Sequence, residues 1–463
     1  MSKNKGLSVI IVGCGKVGLT LVEQLSREGH DITVIDKDRE LVESISGTYD
    51  VMGVVGNGAS YSIQKEAGIE NTDLIIAVTE SDELNLLCCT VAKRVANCSA
   101  IARVRTPDYS HDVSYLQERL GLAMIFNPEL ESAKEAARML SLPTALEVAS
   151  FAHGQAELIN FKIPKDNKLD GMKLWDMSKS IPADIETNVV ICAVERGEEV
   201  HIPSGNFRLQ CGDVVSFVST RRIARKFLRS IGFKTRQVRS TMIVGGGRSS
   251  YYLAQELLQM GIAVKIIEKN RARCEELCEL LPNATIINGD GSDEAFLREE
   301  GIEYAESFVA LTGIDEENIL LTIHARNVSN AKVITKINRV TFRSAINTLD
   351  LGSVIYPRYI TSEAIVAYAR AKHNSMNSNV ETLNYLCDNR VEAVEIRVNE
   401  ASAVTGTMLK ELKPRMKKDI LIASINRKGK ILIPSGMDTI EPEDSVMVVT
   451  SHSGFSDIRD ILA

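Results

Sequence analysis

The chain lacks the long apolar stretch that a membrane protein needs: no run approaches the roughly 18 to 20 consecutive apolar residues required to cross a bilayer. Residues 1–5 are polar and lack the basic-then-apolar plan of a signal peptide, so the expected location is the cytoplasm. Metal-ligand spacing is missing too. Cys88 and Cys89 are adjacent, Cys274 and Cys278 form CxxxC, and no CxxC pair has a matching histidine. The nine cysteines are therefore expected in the core as small apolar residues.

Basic charge is also short. Lys and Arg number 54 against 61 Asp and Glu, a net charge of -7, which argues against a duplex nucleic-acid binder, since that needs a basic face. One local run, Arg221, Arg222, Arg225, Lys226 and Arg229, reads as a solvated helix face leading into a linker. Seven histidines are present, and none stands at a spacing with Asp, Cys or Ser that suggests a proton relay. His111 comes nearest, but it lies in the polar segment TPDYSHD. No catalytic residue and no metal ligand is assigned.

What the chain does have is glycine in a particular place. An apolar run at residues 9–12 ends in Gly13, Gly15 and Gly18, and an apolar helical pattern starts at once, which predicts strand, tight turn and helix. Such glycines let the backbone approach a pyrophosphate, while the helix N-terminus offers free N–H groups to phosphate oxygens. A second strand at residues 31–35 delivers Asp36, twenty-three residues after Gly13, where a carboxylate can accept hydrogen bonds from both ribose hydroxyls. A 2′-phosphate would meet like charge there. The expected ligand is NAD(H), or another adenine nucleotide with free ribose hydroxyls, rather than NADP(H).

The motif occurs twice. Shifting the sequence by about 232 residues sets Gly13 and Gly15 on Gly245 and Gly247, Asp36 on Glu268, and VVGNGAS (54–60) on INGDGSD (287–293). AGIENTDLIIAVTESDELN (67–85) falls on EGIEYAESFVALTGIDEEN (300–318), and the IPSG at 202–205 recurs at 433–436. So many landmarks in register indicate duplication of a whole two-domain unit. Continuous apolar strands alternating with helices predict a doubly wound parallel sheet at the front of each unit. After Pro128 a stripe of Leu130, Ala133, Ala137 and Leu140 predicts a helix ending before Pro143. Short alternating strands from Ala145 to about Thr220 then predict a small α+β module. The expected boundaries are 1–143, 144–230, 240–372 and 378–463.

At the carboxyl edge of the fourth strand, Thr79 either faces the ligand or caps the next helix. Arg103, near the end of the fifth, either reaches the same crevice or pairs with a surface carboxylate. In the second unit Gly246 lies between the two glycines, Arg248, Ser249 and Ser250 follow them, and Lys336 replaces Arg103. The third glycine is thus missing, and a less close approach of helix to sheet is expected there.

GCGKVG at 13–18, IDKD at 35–38, GNGAS at 56–60, AVTESDELN at 77–85 and the IPSG-containing modules resemble the regulator-of-K+-conductance family. The double arrangement is similar to the peripheral subunits of bacterial Trk potassium uptake systems. That resemblance implies two tandem Rossmann-like α/β domains, each followed by a small RCK-C-like module, with no chemistry of their own. It implies a homo-oligomeric dimer or tetramer ring, peripheral on the inner face of the membrane beneath a potassium-translocating protein of the TrkH or TrkG type. The implied cofactor is NAD(H), with ATP or ADP in some members. Carried over by motif, the first site would use Gly13, Cys14, Gly15, Lys16, Val17, Gly18, Asp36, Asn57, Thr79, Glu80 and Arg103. The second would use Gly245, Gly246, Gly247, Arg248, Ser249, Glu268 and Thr312. The helices after Pro128 and Pro357, which join the large domains to the small modules, are the expected hinges.

Overall fold

Apolar runs without alternation can be buried on both faces only in a parallel sheet covered by helices, and the computed structural model has two such sheets. It describes residues 6–110, 112–179, 181–186, 188–338, 346, 349, 351–373, 379–387 and 390–463; His111 lies outside them. The first sheet holds β1 (Ser8–Val12), β2 (Asp31–Asp36), β3 (Met52–Val55), β4 (Leu74–Ala77), β5 (Ser99–Arg103) and β6 (Met124–Phe126). Its order is β3-β2-β1-β4-β5-β6, and all five pairings are parallel. The order reverses between β1 and β4, the place where open sheets of this kind hold ligands. Above that crevice start α1 (Lys16–Arg27) after β1 and α2 (Asp82–Val95) after β4.

The second half repeats this arrangement. Strands Ser240–Val244, Ala263–Glu268, Thr285–Asn288, Ser307–Ala310, Lys332–Lys336 and Ser353–Ile355 form a parallel sheet in the same order. The last strand of each sheet is three residues long, and the sequence pattern does not reveal it. Each small module is a five-stranded antiparallel sheet of one topology, with the first at residues 147–219 and the second at 380–450. The two share a core. Phe151, Leu158 and Val218 of the first pack with Val391, Met447 and Val449 of the second. Glu395 of the second, only 3% exposed, accepts the Ala152 N–H of the first at 3.1 Å.

The helices after the two prolines, α3 (Pro128–Ser141) and α5 (Pro357–His373), cross between the halves. Ala133, Ala137 and Leu140 of α3 pack with Tyr251, Tyr252 and Leu257 of α4 (Arg248–Gln259), the helix after the second glycine turn. Ile365, Val366 and Ala369 of α5 pack with Leu21, Val22 and Leu25 of α1. Each expected hinge therefore lies on the glycine-turn helix of the other unit. An apolar stripe says that a face is buried, and only the fold says against what.

Two expectations need correction. Six cysteines are buried, but Cys211 and Cys278 are exposed and Cys387 is half-buried, because they sit in a turn, on the outer face of a helix and in a loop. The basic run does form a helix, Arg221–Ser230, yet its face is not wholly solvated. Arg221 lies 3.8 Å from the Glu157 carboxylate and, with Arg225, donates to Ser141 at the end of α3. No helix among the described residues is long and apolar enough to cross a membrane.

Candidate functional site

The glycine turn after β1 is shaped by contacts that exclude side chains at two of its three glycines. Gly13 has φ +99°, and a Cβ there would lie 2.8 Å from the Thr79 backbone nitrogen. At Gly18 a Cβ would lie 1.9 Å from the Gly13 carbonyl oxygen, so glycine lets α1 press against the turn. Gly15 differs. A Cβ there would meet nothing within 4 Å, so its surroundings are open on the side where a ligand would enter.

Gly15 is also the N-cap of α1, no side chain caps that helix, and no acidic residue occupies its first turn. In contrast, Ser81 caps α2 by accepting the Leu84 N–H, with Asp82 and Glu83 in the first turn. The N-terminus of α1 thus keeps unneutralised N–H groups and positive dipole charge, the electrostatics that favour a phosphate. Lys16 is exposed beside it, and Val17 is half-buried.

Asp36 stands at the end of β2. One carboxylate oxygen accepts the Cys14 N–H at 2.6 Å and the other the Asp38 N–H at 3.0 Å, which fixes the carboxylate against the glycine turn. The Cys14 side chain points into the core and its thiol is pushed up to about 12 by burial and then by Asp36, so only the backbone of Cys14 faces the cleft. Asn57 is exposed and accepts the Ala59 N–H within its own turn.

Thr79 does not cap α2. Its N–H and hydroxyl both donate to Asn85 Oδ1 at 2.7 Å. Arg103 does not pair with a surface carboxylate either. It is 9% exposed, its guanidinium donates to the Thr79 carbonyl, and its Nε has no hydrogen-bond partner among the described residues. Burial and then Arg105 lower its pKa to about 10, so it remains a cation at neutral pH. The Glu80 side chain is exposed, while its carbonyl accepts from Arg105.

The second cleft has the same plan with different detail, and it encloses about 690 Å³ lined by Gly245, Gly246, Gly247, Glu268, Thr312 and Lys336, among others. Gly245 has φ +99°, Gly247 is open at Cβ, and α4 again lacks a cap bond and a first-turn acid. Glu268 accepts the Gly246 N–H at 2.6 Å and the Asn270 N–H at 2.7 Å, so its extra methylene preserves the Asp36 arrangement. Ser250 sits where the first unit has Gly18, and its hydroxyl donates to the Gly245 carbonyl. Lys336 donates to the Leu311 carbonyl at 3.2 Å, and burial lowers its pKa. Ser249 is buried, whereas Arg248 is exposed at the rim.

The residues that hold both clefts open were not singled out from sequence. Asn85, fully buried, accepts from Thr79 and donates to the Thr79 and Arg103 carbonyls at 3.1 and 2.9 Å. Asn318 makes the matching bonds to Thr312 and Lys336. Asp82 accepts the Arg105 and Thr106 N–H groups, and Asp315 accepts that of Asn338. The signal was their recurrence at equal spacing in the two copies of the motif. Asn85→Ala should leave the Thr79 N–H and the Arg103 carbonyl unpaired, costing about 1–3 kcal/mol of stability, measurable by urea denaturation.

Comparison with known proteins agrees with this duplicated plan. The TrkA-N domain family matches residues 9–128 and 241–357, and the TrkA-C domain family matches 158–232 and 393–463. A Trk system potassium uptake protein TrkA homolog of Archaeoglobus fulgidus is 31% identical, covering 98% of this chain and all of that protein. The Trk system potassium uptake protein TrkA of Halomonas elongata is 29% identical over 96% of this chain and 95% of its own length. Among solved structures, the GsuK channel bound to NAD superposes with a TM-score of 0.62 at 16% identity, covering 98% of this chain and 78% of that one. The GsuK RCK domain alone gives the same score at 15% identity and 94% of its length.

Proposed function

The chain belongs to the TrkA family of Trk potassium uptake proteins, and from that premise we propose that it senses NAD(H) or ADP/ATP at its two glycine-turn clefts and regulates a membrane potassium transporter without catalysing a reaction. The observation that carries this reading is the uncapped N-terminus of α1, open at Gly15 and flanked by the fixed Asp36 carboxylate and the buried Arg103 cation. Phosphate oxygens would meet the free N–H groups of α1, the ribose hydroxyls would meet Asp36, and Arg103 would add positive charge. Gly13, Gly15, Asp36, Thr79 and Arg103 would hold the ligand in the first cleft, and Gly245, Gly247, Glu268, Thr312 and Lys336 in the second.

The GsuK channel, which shares this fold, has been solved bound to NAD, and this supports a dinucleotide as ligand. The proposed units are 1–143 and 240–372 for nucleotide binding and 144–230 and 378–463 for the small modules. The partner would be a TrkH- or TrkG-type membrane protein, with the chain peripheral on its cytoplasmic side as a homo-oligomeric ring. A ligand shifts such a gate only by its differential affinity for two states, and a tenfold preference is worth about 1.4 kcal/mol per site.

The test has two arms. Purified chain should bind NADH or ADP saturably, and NADH absorbance should stay constant over a panel of hydroxy acids and aldehydes. Brisk, substrate-dependent loss of NADH would instead identify a dehydrogenase.

A further inference from the structure

The two halves repeat in fold but not in how their glycine-turn helices are tied to the rest of the chain. Helix α1 ends at its C-cap residue Glu28 and α4 at its C-cap residue Met260, which are equivalent positions. Glu28 is held by Arg370 of α5, through Arg370 Nε at 2.8 Å and Nη2 at 2.5 Å. The same guanidinium grips Glu392 in the strand Val391–Arg397 of the second small module, with bonds of 2.8 and 2.9 Å. Arg370 and Glu392 are each 4% exposed. One buried cation therefore joins three elements, each by a fork of two hydrogen bonds or by the covalent chain itself.

Among the described residues, no cation ties the glycine-turn helix of the other half, α4, to α3 and the first small module. Counting from Pro128 and Pro357, Arg370 corresponds to Ser141, and Glu28 corresponds to Met260. Glu157, which matches Glu392 as the second residue of its strand, turns instead to Arg221 of its own module, which donates to Ser141 of α3 but reaches no residue of α4 among the described residues. Met260 is a half-buried apolar residue packed against the cluster that α3 shares with the second large domain.

We propose that Arg370 is a coupling residue that transmits occupancy of the first cleft, and not of the second, to the small modules. This rests on the nucleotide-binding reading above and adds the route of regulation. Helix α1 is a 12-residue rod with the ligand cradle at one end and Glu28 at the other, about 18 Å apart at 1.5 Å per residue. A ligand that draws in the N-terminus of α1 moves Glu28 with it. The forked bonds tolerate little sliding, so α5 and the Glu392 strand must follow or the ion pairs break.

The experiment is hydrogen exchange on the full chain with and without saturating NADH. Peptides spanning 391–397 are compared in the wild type, in Glu28→Met, which installs the second half's residue, and in the control Glu23→Gln. Glu23 lies on the same helix but, among the described residues, pairs only with the exposed Arg27. NADH is expected to slow exchange in 391–397 by about threefold or more in the wild type and the control, and by less than about 1.5-fold in Glu28→Met. Direct titration should give Glu28→Met an NADH affinity within about threefold of wild type, which separates lost coupling from lost binding. Undiminished protection in Glu28→Met, or none in the NADH-bound wild type, overturns the coupling role while leaving the nucleotide reading intact. A wild-type chain that binds neither NADH nor ADP overturns both.

Discussion

Gly15→Asp is expected to leave the unliganded chain as stable as wild type while removing nucleotide binding at the first cleft. The fold tolerates the change because a Cβ at Gly15 meets nothing within 4 Å and the backbone there is extended, with φ -64°. Aspartate is moreover a favoured N-cap residue, better than glycine by a few tenths of a kcal/mol. Its carboxylate would occupy the phosphate position and cap the very N–H groups a phosphate needs. At a hundredfold excess of ligand over its dissociation constant, an intact site adds about 2.7 kcal/mol of stability, and this share should vanish. Gly247→Asp should do the same at the second cleft. Thermal or urea unfolding with and without NADH reads both. A full ligand-induced shift in Gly15→Asp would mean that the first cradle lies elsewhere.

The second large effect is structural. Arg370→Met should destabilise the chain by about 3–5 kcal/mol, because it strands the Glu28 and Glu392 carboxylates in a buried site with no cation. Side-chain exposures of 3% for Arg370, 15% for Glu28 and 5% for Glu392 put the site beyond the screening that makes surface ion pairs weak. Converting all three residues to methionine should recover most of the loss, since a buried triad and an apolar cluster of similar volume are often close in stability. Urea midpoints of the two variants decide the cause. If the triple variant is no more stable than Arg370→Met, the cost lies in packing and not in unpaired charge.

Much of this was legible in the sequence because the same grammar is written twice. Residues 9–12 and 74–78 carry unbroken apolar runs and 31–35 (DITVI) is mostly β-branched, and the observed strands Ser8–Val12, Asp31–Asp36 and Leu74–Ala77 differ from these ranges by one residue at an end. Periodicity fails where elements are short. Met124–Phe126 and Ser353–Ile355 are too brief to show a pattern and owe their strand state to the neighbouring edge. Val380–Leu386, the first strand of the second small module, is hard to read from sequence because VETLNYL alternates polar and apolar only in part.

For the clefts, glycines and carboxylates could be read because their spacing reflects local geometry. Asn85 and Asp82 could not be assigned roles, because a polar residue in a helix's first turn looks solvated until the ends of β4 and β5 are laid beside it. The Arg370 triad depends on residues 22 and 342 positions apart, and no local pattern announces it.

The measurement that most directly tests the central claim is titration of NADH, followed by its fluorescence, into the wild-type chain and the Gly15→Asp/Gly247→Asp double variant. The account predicts saturable binding to the wild type, none to the folded double variant, and NADH recovered chemically unchanged. Equal binding by both proteins, or consumption of the bound dinucleotide, would contradict it.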